Sequence, residues 1–472
     1  MPGFVVGQQH QPASEQVGHA RKRSTDVQVN VPEPLTRPAI FQRAWPIILA
    51  NASVPVLGLV DTAVIGNFGG IADLGAIAFG ALIMSFVYWG FGFLRMGTTG
   101  FVAQAVGARN EAEVRATLAR ALALAAVLGV SLILLQWPIL RGALWFLDGS
   151  TEVERLAADY FVIRIWAAPA TLGTFALMGL LIGLGRSRAL LLVQLVLNGT
   201  NIVLDVWFAG VLGWGSQGIA LGTAIAEWAS LFVAAAIVIR ILKDRHRDPE
   251  PLFAGAWLRD AAKLKRMLAV NSDIMIRTLL LVSGFSWFLR QSSQFGDVVL
   301  AANHILLQLV SFSAFFLDGY AFVAEAVVGE AIGARNRAHF DLAVRRSTEL
   351  AAGTAILLTL ALLLLQTPAL HALTDIEPVR QAAGAALPLA ALYVLCSFPA
   401  FQLDGIFIGA TRTRDMRNAS LQSVAVFIAV SGPLVSFAGN HGLWLAFVIY
   451  VCARAAALLR YFPGLRRSVA VP

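Results

Sequence analysis

Few ionisable side chains in this sequence lie away from its loops, and they divide into two sets. Asp61, Arg95, Arg164, Asp205 and Glu227 fall in the first half; Asp273, Arg277, Asp318, Glu325 and Asp404 fall in the second. Each sits inside a long apolar stretch, where a charge is costly and usually functional. Asn201 precedes Asp205 by four residues, so amide and carboxylate share one helix face. Thr223 offers a hydroxyl on the next stretch, with Glu227 one turn further on. Asp61, Asn201, Asp205 and Thr223 together are oxygen ligands of the kind that suits a hard cation such as Na⁺. Two carboxylates close together in low dielectric also tend to share a proton, because both cannot ionise cheaply. The competing reading is a polar network that only holds helices together.

These groups need long helices to bring them to one depth, and the composition supplies them. The chain has 472 residues, 58% hydrophobic and 14% charged, with a mean hydropathy of +0.71. Soluble domains carry about 45–50% apolar and roughly 25% charged residues. That difference excludes an ordinary cytosolic enzyme, a disordered chain and a small secreted scaffold. The net charge of +8 fits basic loops of a membrane protein better than nucleic-acid binding. Cys396 and Cys452 both lie in apolar runs, which argues against a disulfide framework or a thiolate metal site.

Twelve apolar spans follow one another at about 40–65, 74–105, 118–146, 155–184, 189–213, 217–242, 262–291, 298–331, 344–372, 379–410, 415–437 and 443–461. A bilayer crossing takes about 20 helical residues. The runs are continuous and rich in Ala and Leu, unlike the period-two pattern of barrel strands. Lys and Arg are almost confined to alternate loops, such as Gly107-Ala-Arg-Asn110, Gly185-Arg-Ser-Arg188, Lys243-Asp-Arg-His-Arg247, Gly333-Ala-Arg-Asn-Arg337 and Thr411-Arg-Thr-Arg414. The positive-inside rule puts those loops and both termini in the cytoplasm. On that orientation Asp61, Asn201, Asp205 and Thr223 lie within roughly 6–12 Å of the outer helix ends, at about 1.5 Å per residue.

The sequence also repeats. Ala105-Val-Gly-Ala-Arg-Asn110 returns as Ala331-Ile-Gly-Ala-Arg-Asn336, and Ile182-Gly-Leu-Gly-Arg-Ser-Arg188 as Ile408-Gly-Ala-Thr-Arg-Thr-Arg414, both 226 residues on. Gly215-Ser-Gln-Gly-Ile-Ala-Leu221 returns as Gly439-Asn-His-Gly-Leu-Trp-Leu445, 224 residues on. The expectation is an all-α integral membrane protein of twelve transmembrane helices in two pseudo-symmetric six-helix lobes. Residues 38–242 and 260–462 form the lobes, 243–259 a cytoplasmic linker, 1–37 a disordered tail and 463–472 a short cytoplasmic tail. Parallel six-span repeats are an architecture of transporters whose halves rock about a central site. Pro46, fifteen residues before Asp61, removes a backbone hydrogen bond and permits a hinge in the first span.

Pro46 and Asp61 at this spacing resemble the first-helix motif of the multidrug and toxic compound extrusion (MATE) transporters. Asn201-Ile-Val-Leu-Asp205 and Thr223 are similar to the polar positions of helices five and six in that family. Phe93-Leu-Arg-Met-Gly-Thr-Thr-Gly100 and Leu403-Asp-Gly-Ile-Phe-Ile-Gly-Ala-Thr-Arg412 resemble its DinF-like branch. The likeness runs from about residue 38 to 462. It implies a secondary active exporter of organic, often cationic, compounds in a bacterial inner membrane, working as a monomer without a cofactor. Coupling would be to protons or Na⁺ at Asp61, Asn201, Asp205 and Thr223.

NorM-like members place coupling carboxylates in helices seven and ten. Here Asp273 and Arg277 lie together in span seven and are expected to pair with each other. Asp404 sits at a different depth from the first-half cluster, as a secondary candidate beside Glu227 and Arg95. Arg95 and Arg164 read as partners of carboxylates, and Asp318 and Glu325 share a face that could meet one of them. His304 reads as a packing or hydrogen-bonding element. Trp89, Trp166 and Phe401 are candidates for lining a cavity for flat cations. A lipid-linked substrate flippase is disfavoured, because each half holds more interior carboxylates than arginines. A membrane enzyme is disfavoured by the lack of an HExxH zinc motif or a clear GxSxG elbow.

Overall fold

The computed structural model describes Gly3 and residues 35–68, 70–147, 150–246 and 251–469. Apart from Gly3 and residues 35–37, the expected tail lies outside the described residues, as do Asp148, Gly149 and 247–250 of the linker; Arg37, given to the tail, already opens the first helix. Eleven helices among the described residues are long and apolar enough to cross a membrane. We label them α1 (Arg37–Asn67), α2 (Ala72–Gly107), α3 (Glu111–Leu134), α4 (Thr151–Gly183), α5 (Ser187–Val211), α6 (Gly215–Arg245), α7 (Ala261–Phe295), α8 (Asp297–Gly333), α9 (Arg337–Leu364) and α10 (Glu377–Gly409). The last, Thr413–Ser468, is two helices, because Ala438 and Gly439 break it with non-helical backbone. These are α11 (413–437) and α12 (440–468), which completes twelve spans in two lobes.

The repeated loop motifs are helix stops with one shared geometry. Arg109 and Arg335 both take φ 54°, and Thr411 (φ 52°) matches Gly185 (φ 67°). In the first pair, Asn110 N–H donates to Ala105 O, and Asn336 N–H to Ala331 O. This is the left-handed helix stop that satisfies the last carbonyls. Asn110 and Asn336 then cap α3 and α9, accepting from the N–H groups of Glu113 and His339. Gly215 and Gly439 both sit at φ 55°, where a residue with a Cβ would be strained. The repeat in the sequence is therefore a repeat of turns.

One feature differs from the expected spans. The third and ninth each stop at a leucine, Leu135 or Leu365, and resume as the short helices Gln136–Leu147 and Gln366–Leu373. Pro138 and Pro368 lie in the first turn of each short helix. A proline there cannot continue the preceding ladder but suits a helix start. The last helix also runs on to Ser468, past the expected end of its span.

The large apolar side chains left exposed include Leu134, Leu364, Trp145 and Phe437. Such a surface suits lipid and would aggregate in water. Inside, the second lobe packs an aromatic cluster of Phe288, Tyr393, Phe427, Trp444, Phe447 and Tyr450. The first lobe packs Phe93, Leu94, Tyr160, Phe161 and Ile165.

The lobes meet through small residues toward the ends that carry the basic loops. A methyl group on Gly107 of α2 would overlap the Glu330 carbonyl of α8, and one on Gly333 would overlap that of Gln104. Gly319 of α8 lies against Ile48 of α1 in the same way. Gln104 donates to Gly409 O at 2.9 Å, and Arg95 of α2 meets Glu325 of α8 at 3.1 Å. The foot of α1, with Ile40, Ala44, Ile47 and Ile48, belongs to the core of the second lobe. Pro46 lies in this foot, and α1 runs through it and Pro55 without a break.

Overpacking a close backbone contact costs about 1–3 kcal/mol. Gly333→Val is therefore expected to lower the melting temperature in detergent by several degrees. Gly353→Val should leave it nearly unchanged, since no atom lies within 4 Å of a Cβ there. Equal melting temperatures for the two variants would contradict the tight seam.

Candidate functional site

The polar side chains of α5 form a stripe of Gln194, Asn198, Asn201 and Asp205, at spacings of four, three and four. All four are buried. Gln194 donates to Asn198 Oδ1 at 3.0 Å, and Asn198 Nδ2 donates to Ser53 Oγ of α1 at 2.8 Å. Asn201 Nδ2 donates to Thr223 Oγ1 of α6 at 2.9 Å, while the Thr223 hydroxyl donates to Ile219 O. Thr223 thus fixes which way the Asn201 amide faces. Just past Asp205 the helix widens into a π turn over Val206–Val211, a distortion common at functional sites. On α6, Gly222 leaves no room for a Cβ beside Asp205 Oδ1, so the α6 backbone presses on the carboxyl group.

Asp61 and Asp205 bring their carboxyl groups within hydrogen-bonding reach of each other. Asp61 Oδ1, both oxygens of Asp205 and Asn201 Oδ1 are buried with no hydrogen-bond partner among the described residues. Three carboxyl oxygens of the facing pair thus lack a satisfied hydrogen bond, with the Asn201 side chain within hydrogen-bonding reach of Asp205 and the Arg164 guanidinium within electrostatic reach of both acids. A buried unsatisfied polar group costs about 1–3 kcal/mol, and more when charged. Acceptors that face one another need a positive species between them, either a proton on the pair or a bound cation.

Glu227 does not enter this group directly. Its Oε1 accepts from Arg164 Nη2 at 2.8 Å and its Oε2 from Thr171 at 2.6 Å, while Arg164 Nη1 donates to Tyr160 at 2.9 Å. The other second-tier residues also have partners. Arg95 bonds Glu325 across the lobes and stacks over Phe322. Asp404 is shared by Arg277 and Arg454. The expected Asp273–Arg277 pair does not form. Asp273 instead meets Arg417 at 2.6 Å and Thr413 at 3.2 Å from α11, while Arg277 is taken up by Asp404. Asp318 lies in the electrostatic reach of Arg95, Arg277 and Arg454. His304 is exposed and its ring touches Gln308. Trp89 and Trp166 are exposed, and Phe401 lies under the Arg454 guanidinium.

The repeat provides an internal comparison. The 226-residue offset carries Asp61 onto Trp287, Asn201 onto Phe427 and Asp205 onto Ser431; the 224-residue offset carries Thr223 onto Phe447. In the second lobe Trp287 Nε1 donates to Ser431 Oγ at 3.0 Å, and Phe427 packs on Phe447. A satisfied neutral hydrogen bond and an aromatic stack therefore occupy the place of the acid pair. The sequence reading missed Ser53, Gln194, Asn198 and Gly222. The three polar ones carry a signal, a helical stripe and a serine opposite it, but Gly222 sits in a run of small residues like many others.

Two repeated six-helix lobes in a multi-pass membrane protein, with a buried acidic cluster in one lobe, define a secondary active transporter that works by alternating access. The chain belongs to the MatE family, whose pattern matches residues 46–207 and 274–434. It is 38% identical over 420 residues to DNA damage-inducible protein F of Escherichia coli (strain K12), covering 89% of this chain and 90% of that protein. That likeness places it in the DinF-like branch. It is 25% identical over 434 residues to a probable multidrug resistance protein NorM of Neisseria meningitidis serogroup B, covering 88% of this chain and 91% of that one. A solved MOP superfamily transporter from Pyrococcus furiosus shares the fold, with a TM-score of 0.82 at 18% identity over 92% of this chain and 96% of that one.

The contact of Gly222 with Asp205 is open to a simple check. Gly222→Ala should push the Asp205 carboxyl out of place and lower transport by about tenfold, the scale of a lost 1.4 kcal/mol. Gly199→Ala, with no atom within 4 Å of its Cβ, should transport like the parent. Parent-like transport by Gly222→Ala would show that the position of Asp205 is unimportant.

Proposed function

We propose that this protein is a proton-coupled exporter of organic, often cationic, compounds, and that Asp61 and Asp205 carry the coupling proton. The observation behind this is the facing pair of carboxyl groups at Asp61 and Asp205, three of whose oxygens are buried with no hydrogen-bond partner among the described residues. A proton entering from the outer side neutralises the pair, and its departure leaves a charge that favours a cationic substrate. Asn201 and Thr223 orient the group, and Pro46 lets α1 bend as the charge changes. The same α1 carries Asp61 at one end and packs into the second lobe at the other, so a movement at the acid pair is passed to the lobe seam. The names of the NorM relatives support multidrug substrates.

Sodium coupling is the second reading. It is favoured by Asn201 Oδ1, a fourth buried oxygen without a hydrogen-bond partner among the described residues, one helical turn from Asp205, since Na⁺ takes several oxygen ligands whereas a shared proton needs only two. A flippase for anionic lipid-linked substrates has less support, because Arg95, Arg164, Arg277 and Arg454 each bond a carboxylate. We also propose that the basic loops and both termini face the cytoplasm of a bacterial inner membrane. In this reading the lobes are residues 38–242 and 260–462, joined by 243–259, and the transporter works as a monomer.

The test is dye export from proteoliposomes under separate proton and sodium gradients. Asp61→Asn and Asp205→Asn should insert and fold but lose proton-driven export by about 100-fold, the effect of removing an interaction of roughly 2.7 kcal/mol. Export that persists in both variants contradicts the proposal. Export driven by sodium alone, and lost in both variants, selects the sodium reading instead.

A further inference from the structure

The first lobe buries a second charged group next to the acid pair, and the exporter reading leaves it without a task. Arg164 of α4 is tethered by two of its nitrogens, Nη1 to Tyr160 and Nη2 to Glu227. Its Nε–H is buried and has no hydrogen-bond partner among the described residues. The guanidinium lies within electrostatic reach of Asp61 and Asp205. The groups around it are Tyr160 on its own helix, Tyr88 from α2 and Glu227 from α6, with the Thr171 hydroxyl bonded to Glu227, while Asp61 from α1 and Asp205 from α5 feel its charge. A spare buried donor thus lies within electrostatic reach of three spare carboxylate oxygens. Each is costly to leave unmade.

The second lobe shows that this group is not needed to build a six-helix lobe. The repeat carries Arg164 onto Ala390, Tyr160 onto Ala386, Tyr88 onto Ala314 and Glu227 onto Val451. Where the acid pair is replaced by Trp287 and Ser431, the arginine, its carboxylate and both tyrosines are replaced as well. The two sets of polar residues are present together or absent together within one molecule.

We propose that Arg164 is the resident counter-ion of the acid pair. Glu227 and Tyr160 hold it beside the pair while the pair carries its proton. When the proton leaves, the free Nε–H turns toward Asp61 and Asp205, and the positive charge stabilises the emptied carboxylates. A substrate cation then has to compete with Arg164, which sets how readily the pair gives up and regains its proton. Arg164 acts through the pair and is a positioning and tuning residue, not a group that touches substrate. This inference rests on the proton-coupled reading of Asp61 and Asp205.

The experiment is the pH profile of export of a cationic dye, ethidium, from proteoliposomes at fixed proton gradient. Glu227→Gln frees Arg164 from its competing carboxylate, so the midpoint should move to lower pH by about half a unit. Arg164→Gln combined with Glu227→Gln removes the counter-ion without stranding a buried carboxylate. Its midpoint should move to higher pH by about one unit. Arg164→Lys, which keeps the charge, should restore a profile close to the parent. If the double variant does not fold, Glu227→Gln alone decides. Midpoints that stay at the parent value, or that move in the same direction, overturn the inference. Asp61→Asn is run in the same vesicles. If it exports normally, the coupling role of the pair fails; if it is inactive while the midpoints stay fixed, only the counter-ion role fails.

Discussion

Two carboxyl groups that face each other inside a membrane repel strongly, because little water is present to screen them. At the same separation the interaction is several-fold stronger than near a wet surface. Asp61 and Asp205 are held in this arrangement by three helices. Asp205 is fully buried between the π turn of α5 and the α6 backbone at Gly222. The Asn201–Thr223 bond holds the Asn201 side chain, which lies within hydrogen-bonding reach of Asp205. The rest of the first lobe can be understood as support for this one unfavourable contact, which a proton or a cation relieves.

The constraint extends across the molecule through α1. Its upper part carries Asp61 into the first lobe, and its foot packs with α8 in the core of the second. Pro46 lies within that foot, inside an unbroken helix. A lobe seam of close backbone contacts at Gly107 and Gly333, with Gly319 against the Ile48 side chain, is well suited to two discrete arrangements, because tightly packed surfaces slip rather than deform. The twofold repeat gives both lobes the same turns, yet the chemistry is one-sided. The second lobe uses its equivalent positions for aromatic packing and the Trp287–Ser431 hydrogen bond. Of its own buried charges, Arg277 and Arg454 share Asp404 with Asp318 in their electrostatic reach, and Glu325 bonds Arg95 of the first lobe.

Much of this was legible before any coordinates. Twelve spans follow from apolar runs that only a bilayer can accommodate, and the loop motifs at a 226-residue offset marked the halves because helix stops need particular residues. Asp61, Asn201, Asp205 and Thr223 stood out because polar groups are rare in such runs. What the pattern did not reveal depends on tertiary distance. Asp273 and Arg277 share a helix face, but Arg417 and Asp404 come from other helices and take their place as partners. Gly222 matters only because Asp205 lies against it. The breaks at Leu135 and Leu365 were hidden in long apolar runs, although a Gln-x-Pro triplet follows each one.

The most direct measurement of the central claim is proton release on substrate binding by the purified protein, in weakly buffered, sodium-free detergent solution. If the acid pair exchanges a proton for a cationic substrate, each transporter should release about one proton, as expected for one shared site. Asp205→Asn should bind substrate without that release. Release that is absent from the parent, or unchanged in Asp205→Asn, would contradict the account.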